Sequence, residues 1–220
     1  MKNLKVAIDP LLKRRARRIF AKLAKTYPDA HCELDYQGPF QLLCATILSA
    51  QCTDKNVNKV TPELFKAYPS AERLAQAKTA QVETLIKSLG LYHNKARHLV
   101  GMAQALLKNF GGDVPPDRDL LIQLPGVGRK TANVVLSNAF NLPGLAVDTH
   151  VLRVGKRLGL FQSQDPVKVE AVLGALVPPA SWGSVSHWLI WHGRRICGAR
   201  RPNCAACVLR HDCPSMKIIG

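Results

Sequence analysis

Apolar residues recur with helical spacing along most of the chain, and this periodicity sharply limits the folds that the chain can adopt. The first long segment carries one apolar stripe over residues 12–27, between the helix-start signal Asp9-Pro10 and a stop at Pro28. No stretch alternates apolar and polar residues for more than a few positions, so no strand is indicated. The sequence therefore predicts an all-α fold.

Similar helical patterns follow, separated by short breaks that contain proline, serine or glycine. The predicted segments are residues 40–51, 56–68, 71–77, 80–89, 94–109, 119–124 and 151–158, together with a helix that ends at Phe140. In the segment over residues 40–51, Gln51 is the polar end of an otherwise apolar stripe. The clearest predicted loops are residues 111–116 and 177–179.

The chain has 220 residues, of which 47% are hydrophobic and 21% charged, so it is long enough for one large domain or two small ones. Its longest apolar run, residues 42–50, is about half the roughly 20 residues that a membrane span needs. Lys5 and Asp9 interrupt any apolar signal segment at the start. We therefore expect a cytoplasmic protein without a membrane partner, associated with the nucleoid if the source is prokaryotic.

Positive charge is concentrated at the two ends of the chain. The formal net charge is +16, of which residues 1–31 carry +7 and residues 192–220 carry +5. An excess of this size is typical of proteins that bind a polyanion, most often nucleic acid. An anionic membrane surface, or solubility alone, would also account for it.

Two glycines separated by one residue open a predicted helix in the segment Leu124-Pro125-Gly126-Val127-Gly128-Arg129-Lys130-Thr131. Such glycines bring bare backbone N–H groups against an anion such as a phosphate. A nucleotide-hydrolase phosphate loop needs Gly-Lys-Ser/Thr in succession, and Arg129 interrupts that order. The segment therefore predicts a helix-hairpin-helix that grips a DNA backbone, or else a plain turn between helices with glycines for close packing.

Lys130 lies in the first turn of that helix, where the helix dipole disfavours a positive charge. A neutral amine is the form that attacks a sugar carbon, although a phosphate contact or an exposed helix lysine would fit the position as well. Asp148 follows eighteen residues later, where it is placed to cap the next helix. Because capping needs only one oxygen, the same carboxylate can accept a proton or stabilise a cationic sugar.

Four cysteines, Cys197, Cys204, Cys207 and Cys213, lie close together near the end of the chain with spacings of six, two and five residues. In an intracellular chain such a group indicates a metal rather than two disulfides. Zinc sites more often show two short pairs, whereas loops of this length around one C-x2-C favour a [4Fe–4S] cluster. We expect a segment with so few apolar residues to depend on its metal for folding.

In this order, the hairpin with Lys130, the segment Val147-Asp148-Thr149-His150 and the 6-2-5 cysteine spacing resemble the endonuclease III family of helix-hairpin-helix DNA glycosylases. The resemblance extends from the first helix to the last cysteine. Leu48-Ser49-Ala50-Gln51 and Gly90-Leu91-Tyr92 are similar to segments of that family near the DNA lesion. Cys52 departs from the family pattern, in which we expect a small residue such as alanine after the glutamine.

The resemblance implies a monomeric base-excision-repair enzyme that removes oxidised pyrimidines from duplex DNA and cuts the strand at abasic sites by β-elimination. Lys130 would attack C1′ and form a Schiff base, with Asp148 as the catalytic carboxylate. Gln51 would fill the gap left by the extruded nucleotide, and Leu91 would wedge the opposite strand. Backbone contacts would come from the hairpin residues Gly126, Val127, Gly128 and Arg129.

The same resemblance implies two helical lobes with DNA in a cleft between them. Residues 1–31 and 143–220 would form an iron–sulfur cluster domain, and residues 32–142 an inserted six-helix domain with the hairpin at about 119–140. Two alternatives to removal of oxidised pyrimidines stay open. One is a glycosylase of different specificity, for pyrimidine dimers or mismatches, and the other is a non-catalytic DNA-bound iron–sulfur protein.

Overall fold

The computed structural model describes residues 7–216, and it confirms the all-α prediction, since no strand occurs in that part of the chain. A short 3-10 turn over Pro179–Ser181 precedes the last helix. The α-helices, numbered α1 to α11 in chain order, are Pro10–Thr26, Gly38–Leu48, Asp54–Ala67, Ala71–Ala75, Thr79–Ile86, Tyr92–Phe110, Arg118–Leu121, Arg129–Ala139, Thr149–Arg157, Pro166–Leu176 and Trp182–Arg195.

The chain divides into two compact units, each with its own hydrophobic core. The terminal unit contains the described residues up to His31 and those from Pro143 onward. It includes α1, α9, α10, α11 and the segment that carries the four cysteines, residues 197–213, which we call the cysteine segment. The inserted unit is Cys32–Leu142 and contains α2 to α8. Helix α1 and the four cysteines near the end of the chain thus belong to the same unit, and the glycine hairpin belongs to the other.

In the inserted unit, the long helix α6 packs against α4 and α5, while α2 packs against α3, α6 and α8. Helix α2 is buried on nearly all sides, since every residue from Leu42 to Leu48 is buried. A helix that is apolar all round belongs in the middle of a core. Helix α8, which follows the glycine hairpin, is therefore held by one of the most buried elements of this unit.

In the terminal unit, helix α1 begins as the sequence predicts, because the Asp9 carboxylate accepts a hydrogen bond of 2.9 Å from the Leu11 backbone N–H. The predicted apolar stripe faces the core: Ala16, Ile19, Phe20 and Leu23 are buried. Helix α11 packs against both α1 and α9, and α10 contacts α1. This arrangement places the cysteine segment, which follows α11, beside the first helix of the chain.

Basic side chains of α1 tie that helix to the cysteine segment. Arg15 donates hydrogen bonds to the backbone carbonyls of Leu158 at 2.7 Å and Gly159 at 2.6 Å. Arg18 and Lys22 form ion pairs of 2.6 and 2.8 Å with Asp212, the residue before Cys213. These two cations lower the pKa of the Asp212 carboxyl, first through the hydrogen bond from Lys22. Part of the basic face of α1 therefore has a structural role, in addition to the role expected from its charge.

Two details near the candidate site residues differ from the sequence prediction. The helix predicted over residues 40–51 ends at Leu48, and Gln51 lies in the following loop. Asn133, which the sequence pattern puts on the side of α8 opposite its apolar face, is buried. None of the helices within residues 7–216 is long and apolar enough to span a lipid bilayer.

Candidate functional site

The glycine hairpin is a tight turn that joins α7 to α8. Gly126 has a φ of +76°, and a Cβ atom there would lie 2.7 Å from the Cβ of His98, so only glycine fits without movement. Val127 is buried and its N–H donates to the Leu124 carbonyl at 3.1 Å. Gly128 is the N-cap of α8 and offers no side chain. The turn thus exposes backbone around Gly126 and Gly128 at a helix N-terminus, a geometry suited to an anion.

Lys130 is the second residue of α8 and its side chain is exposed. Arg129, at the first helical position, is half-buried. The side chain of Lys130 is therefore accessible at the same helix terminus at which the hairpin exposes its backbone. A nucleophile in this position would be close to any phosphate backbone that the hairpin holds.

Asp148 caps helix α9 as predicted, and its Oδ1 accepts a hydrogen bond of 2.8 Å from the Val151 backbone N–H. The residue is half-buried. Capping engages Oδ1 only, so the position leaves one carboxylate oxygen for chemistry. Lys130 belongs to the inserted unit and Asp148 to the terminal unit.

Helix α9 connects Asp148 to the cysteine segment through two arginines. The Arg153 guanidinium donates to the carbonyls of Cys197 at 3.1 Å and Gly193 at 2.9 Å, and it lies 3.1 Å from Nδ1 of His150. Arg157 donates to the carbonyl of Gly198 at 2.8 Å and to the Cys197 sulfur at 3.3 Å. These hydrogen bonds to the cysteine segment therefore hold α9, the helix that Asp148 caps.

Gln51 is exposed in the loop between α2 and α3, and its backbone is left-handed, with a φ of 54°. The loop is tight: Ser49 is the C-cap of α2, its carbonyl accepts a hydrogen bond from the Cys52 N–H at 3.0 Å, and Thr53 caps α3. A left-handed conformation is uncommon outside glycine, asparagine and aspartate. The loop therefore holds the Gln51 side chain in solvent although its backbone conformation is energetically unfavourable.

Leu91 is the N-cap of α6 and also has a left-handed backbone, with a φ of 59°. Its side chain is 54% exposed. An exposed leucine in a strained conformation is not explained by core packing. Both residues that the family resemblance links to the DNA lesion are therefore projecting side chains on strained loops of the inserted unit.

A buried lysine connects these two loops, and the sequence patterns did not single out this contact. Lys95, in the first turn of α6, is 3% exposed. Its ammonium lies 3.1 Å from the sulfur of Cys52, the residue after Gln51. Its backbone N–H donates to the Leu91 carbonyl at 3.0 Å.

The four cysteines near the end of the chain line one cavity of the terminal unit. None of these four cysteines, nor any of the other three, forms a disulfide. Within residues 7–216, no three His, Cys, Asp or Glu side chains are grouped closely enough to hold a single metal ion. The other residues that line the cavity are Val154, Arg157, Leu158, His192, Ile196, Pro202, Arg210 and Met216.

Several groups point toward the sulfur atoms of this cavity. The Leu209 backbone N–H donates to the Cys207 sulfur at 3.4 Å. His192 is buried between two partners, with Nε2 at 3.5 Å from the Cys207 sulfur and Nδ1 at 3.1 Å from the Tyr27 hydroxyl. Burial raises the pKa of the Cys207 thiol, and the three neighbouring thiols raise it further. Crowded, half-buried thiols favour their neutral form, and bound cations would remove that preference.

Comparison with known proteins is consistent with this geometry. Residues 44–179 match the HhH-GPD superfamily base excision DNA repair proteins. The endonuclease III of Synechocystis sp. is 51% identical over 204 residues, which cover 92% of this chain and 93% of that protein. Two solved structures of endonuclease III with DNA, one non-covalent and one a trapped covalent intermediate, each match with a TM-score of 0.90 at 46% identity.

Both structural matches cover 94% of this chain and 97% of the solved chain, so the likeness is not limited to one unit. The family resemblance drawn from the hairpin, the Val147–His150 segment and the cysteine spacing is confirmed. The chain belongs to the HhH-GPD superfamily of base excision DNA repair proteins and, within it, to the endonuclease III family.

Proposed function

We propose that this protein excises oxidised pyrimidines from duplex DNA and then cuts the strand as an AP lyase, with Lys130 as the nucleophile. Membership of the endonuclease III family makes the chain a DNA glycosylase and AP lyase. The observation that carries the residue assignment is the exposed amine of Lys130 in the first turn of α8, directly after the anion-binding hairpin. The two endonuclease III–DNA structures that resemble this chain support DNA as its partner.

In the proposed reaction, the neutral amine of Lys130 attacks C1′ of the damaged nucleotide. The new C–N bond forms as the bond between C1′ and the base breaks, and the base leaves with that electron pair and takes up a proton. Opening of the sugar ring then gives a Schiff base between Lys130 and C1′. Loss of a proton from C2′ breaks the C3′–O bond, which cuts the strand on the 3′ side.

Asp148 supplies the carboxylate in this scheme. It accepts a proton from the attacking amine or stabilises positive charge on the sugar as the base departs. Its capping bond to Val151 N–H holds the side chain in one rotamer, so little freedom is lost when it acts. The ties from Arg153 and Arg157 to the cysteine segment keep α9, and with it Asp148, in position.

Duplex DNA would be held mainly through its phosphates. The hairpin residues Gly126, Val127, Gly128 and Arg129 would contact the backbone next to the lesion, a contact that fixes position without reading sequence. Gln51 and Leu91 would enter the duplex when the damaged nucleotide is extruded, and their exposed side chains support that role. We expect a single chain to suffice for binding.

We infer that Cys197, Cys204, Cys207 and Cys213 hold a [4Fe–4S] cluster. Their thiols line a common cavity but are not grouped for a single ion, which favours a multi-iron group over a tetrahedral zinc site. Arg157 and the Leu209 N–H already point at two of the sulfur atoms, as expected around negatively charged thiolates. Once bound, the cluster would stabilise the fold of this apolar-poor segment.

Borohydride trapping tests the proposed nucleophile. A duplex with one abasic site is incubated with the protein and reduced, so that any Schiff base becomes a stable amine link. We expect a covalent protein–DNA adduct with the wild-type chain and none with Lys130→Gln, while both bind the duplex. The matched control is Lys66→Gln, an exposed lysine in the last turn of α3, which should form the adduct normally.

The possible results separate the candidate functions. Duplex binding without any adduct from the wild-type chain would remove the lyase assignment and favour a non-catalytic DNA-bound protein. An adduct that persists in Lys130→Gln would assign the nucleophile to another residue. Excision measured on duplexes with oxidised pyrimidines, pyrimidine dimers or mismatches would then identify the lesion.

A further inference from the structure

We propose that Lys95 is a positioning residue. Through its contact with Cys52, it holds the Gln51 loop, residues 49–53, and the Leu91 loop, residues 87–91, in one fixed arrangement. The inference rests on the proposed function, because it concerns how the enzyme extrudes a damaged nucleotide. It assigns a role to two residues, Lys95 and Cys52, that take no part in the reaction itself.

The first observation is the burial of the Lys95 ammonium. Lysine is almost never fully buried without a partner, since removing its charge from water is unfavourable. Lys95 is 3% exposed, and among the described residues the only side chain that pairs with its ammonium is Cys52, at 3.1 Å. A thiol is a weak acceptor, so core stability alone would be better served by an apolar side chain of similar length.

The second observation is that Lys95 contacts both loops. Its backbone N–H donates to the carbonyl of Leu91, and its side chain reaches the residue that follows Gln51. The side chain of Lys95 therefore links the first turn of α6, directly after Leu91, to the loop that carries Gln51.

The third observation is the strained backbone at both positions. Gln51 and Leu91 have φ values of 54° and 59°, a region that L-residues with a side chain occupy only when the surrounding structure holds them there. The Ser49–Cys52 turn is short, so moving the Cys52 sulfur also moves Gln51. The Lys95–Cys52 contact is placed to hold this strained loop.

A fixed separation matters because two side chains must enter the duplex together. Extruding a nucleotide loses base stacking and pairing, and Gln51 and Leu91 would replace the lost contacts from two loops. If either loop moved, the extruded state would be less populated, although the nucleophile would be intact. Loss of the Lys95–Cys52 contact should therefore slow base excision much more than strand cleavage at an abasic site, which has no base to expel.

The test compares two single-turnover rates in the holoprotein. One is excision of thymine glycol paired with adenine, and the other is cleavage at an abasic site in the same duplex. Lys95→Met keeps the length of the side chain and removes its charge. We expect its excision rate to fall by about tenfold to 100-fold, because small misplacements of positioning groups have effects of that order. Cleavage at the abasic site should change by less than about threefold, on the same reasoning.

Cys52 provides the second arm of the test. Cys52→Ser keeps an acceptor for the Lys95 ammonium and should excise nearly as fast as the wild-type chain, whereas Cys52→Ala should resemble Lys95→Met. The double variant Lys95→Met/Cys52→Ala should be no slower than either single variant, because both remove the same contact. The matched control is Lys108→Met, the same change at an exposed position of α6, which should leave both rates unchanged.

The outcomes are distinguishable from failure of the proposed function. If the wild-type chain neither excises the base nor cleaves the abasic site, the proposed function is wrong. If the wild-type chain does both, an undiminished excision rate in Cys52→Ala overturns the role of the contact. An equal loss of both rates in Lys95→Met, together with a lowered unfolding midpoint, would mean that Lys95 serves general stability only. Should Lys95→Met not fold, the comparison of Cys52→Ser and Cys52→Ala with the wild-type chain decides the question alone.

Discussion

Individual residues in this protein adopt conformations that only a few side chains tolerate. Within residues 7–216, the residues other than glycine with a positive φ are Gln51, Leu91 and Asn141. Asparagine accepts a left-handed backbone readily, but glutamine and leucine do not. The strain thus coincides with the two exposed side chains for which we propose a role in the duplex. The contact between Lys95 and Cys52 joins the two loops that carry these side chains.

Gly126 provides a direct test of the hairpin geometry. We expect Gly126→Ala to lower the free energy of unfolding by about 1 to 2 kcal/mol, because alanine disfavours a left-handed backbone and its Cβ would meet His98. Urea unfolding followed by circular dichroism measures the change. Gly90→Ala is the matched control, since Gly90 has open space around it and should tolerate alanine. Equal midpoints for Gly126→Ala and the wild-type chain would contradict the geometry described for the turn.

His187 makes stability depend on pH. Burial, together with the nearby His31 and Arg194, lowers the pKa of His187 to about 4. The unfolded chain then binds a proton near pH 6.5 that the folded chain does not, so stability falls as pH drops below that value. From the linkage relation we expect this group to lose about 1 kcal/mol between about pH 7.5 and about pH 5.5.

Urea midpoints of His187→Gln at these two pH values measure that contribution. The variant should lose about 1 kcal/mol less than the wild-type chain over the same range, since it has no group to protonate there. His98→Gln, a change at an exposed histidine of α6, serves as the control and should follow the wild-type dependence. A His187→Gln variant with an unchanged pH dependence would show that the buried imidazole is not the group responsible.

Among the elements, the cysteine segment is held by contacts with other parts of the terminal unit. No helix follows α11 in the described residues before Met216, and the segment is held by hydrogen bonds from Arg153 and Arg157 and by ion pairs from α1 to Asp212. The Asp212 side chain is 5% exposed although its partners Arg18 and Lys22 are half-exposed. These contacts connect the first helix of the chain to the residue before its last cysteine.

We expect Asp212→Asn to weaken this connection, because Arg18 and Lys22 would lose the carboxylate that they share. The free energy of unfolding should fall by about 1 kcal/mol, since both cations are half-exposed. If the protein holds the proposed cluster, the rate at which its visible absorbance decays in air should rise accordingly. Asp35→Asn, a change at an exposed carboxylate of the inserted unit, should not alter that rate. Equal decay rates for Asp212→Asn and the wild-type chain would mean that α1 does not protect the segment.

In the molecule as a whole, most of the excess positive charge of the described residues lies in the terminal unit. Residues 1–31 carry +7 and residues 192–220 carry +5 of the net +16, and the described parts of both segments, residues 7–31 and 192–216, lie in that unit. Asp212 neutralises part of this charge on α1, but most of its basic side chains are exposed. The terminal unit is therefore placed to supply much of the non-specific attraction to a polyanion.

A salt titration tests this distribution of charge. We expect the affinity for undamaged duplex to fall by about tenfold or more between about 50 mM and about 200 mM salt, because phosphate contacts release counterions. Replacing Arg14 and Arg17, two exposed residues of α1 outside the Asp212 contacts, with glutamine should reduce the slope of log affinity against log salt. The same double change should leave the urea midpoint nearly unaltered. Binding that hardly responds to salt would contradict a phosphate-based interaction.

Features that depend on a few neighbouring residues were predictable from the sequence. The helical periodicity predicted the all-α fold, Asp9 and Asp148 were identified as helix caps, and the hairpin with the 6-2-5 cysteine spacing identified the family. Each of these signals is complete within a short window of chain. The roles of Lys130, Asp148, Gln51, Leu91 and the four cysteines stay predictions until the experiments above are done.

Features that join distant parts of the chain were decided only by the tertiary structure. Ala50 and Gln51 favour a helix by propensity, so no local signal ends the helix after Leu48, yet the fold has a left-handed turn at Gln51. The contact of Lys95 with Cys52 joins residues 43 positions apart, and that of Arg18 with Asp212 joins residues 194 apart. Such pairs form because packing brings their elements together, and no local pattern encodes which elements will pack.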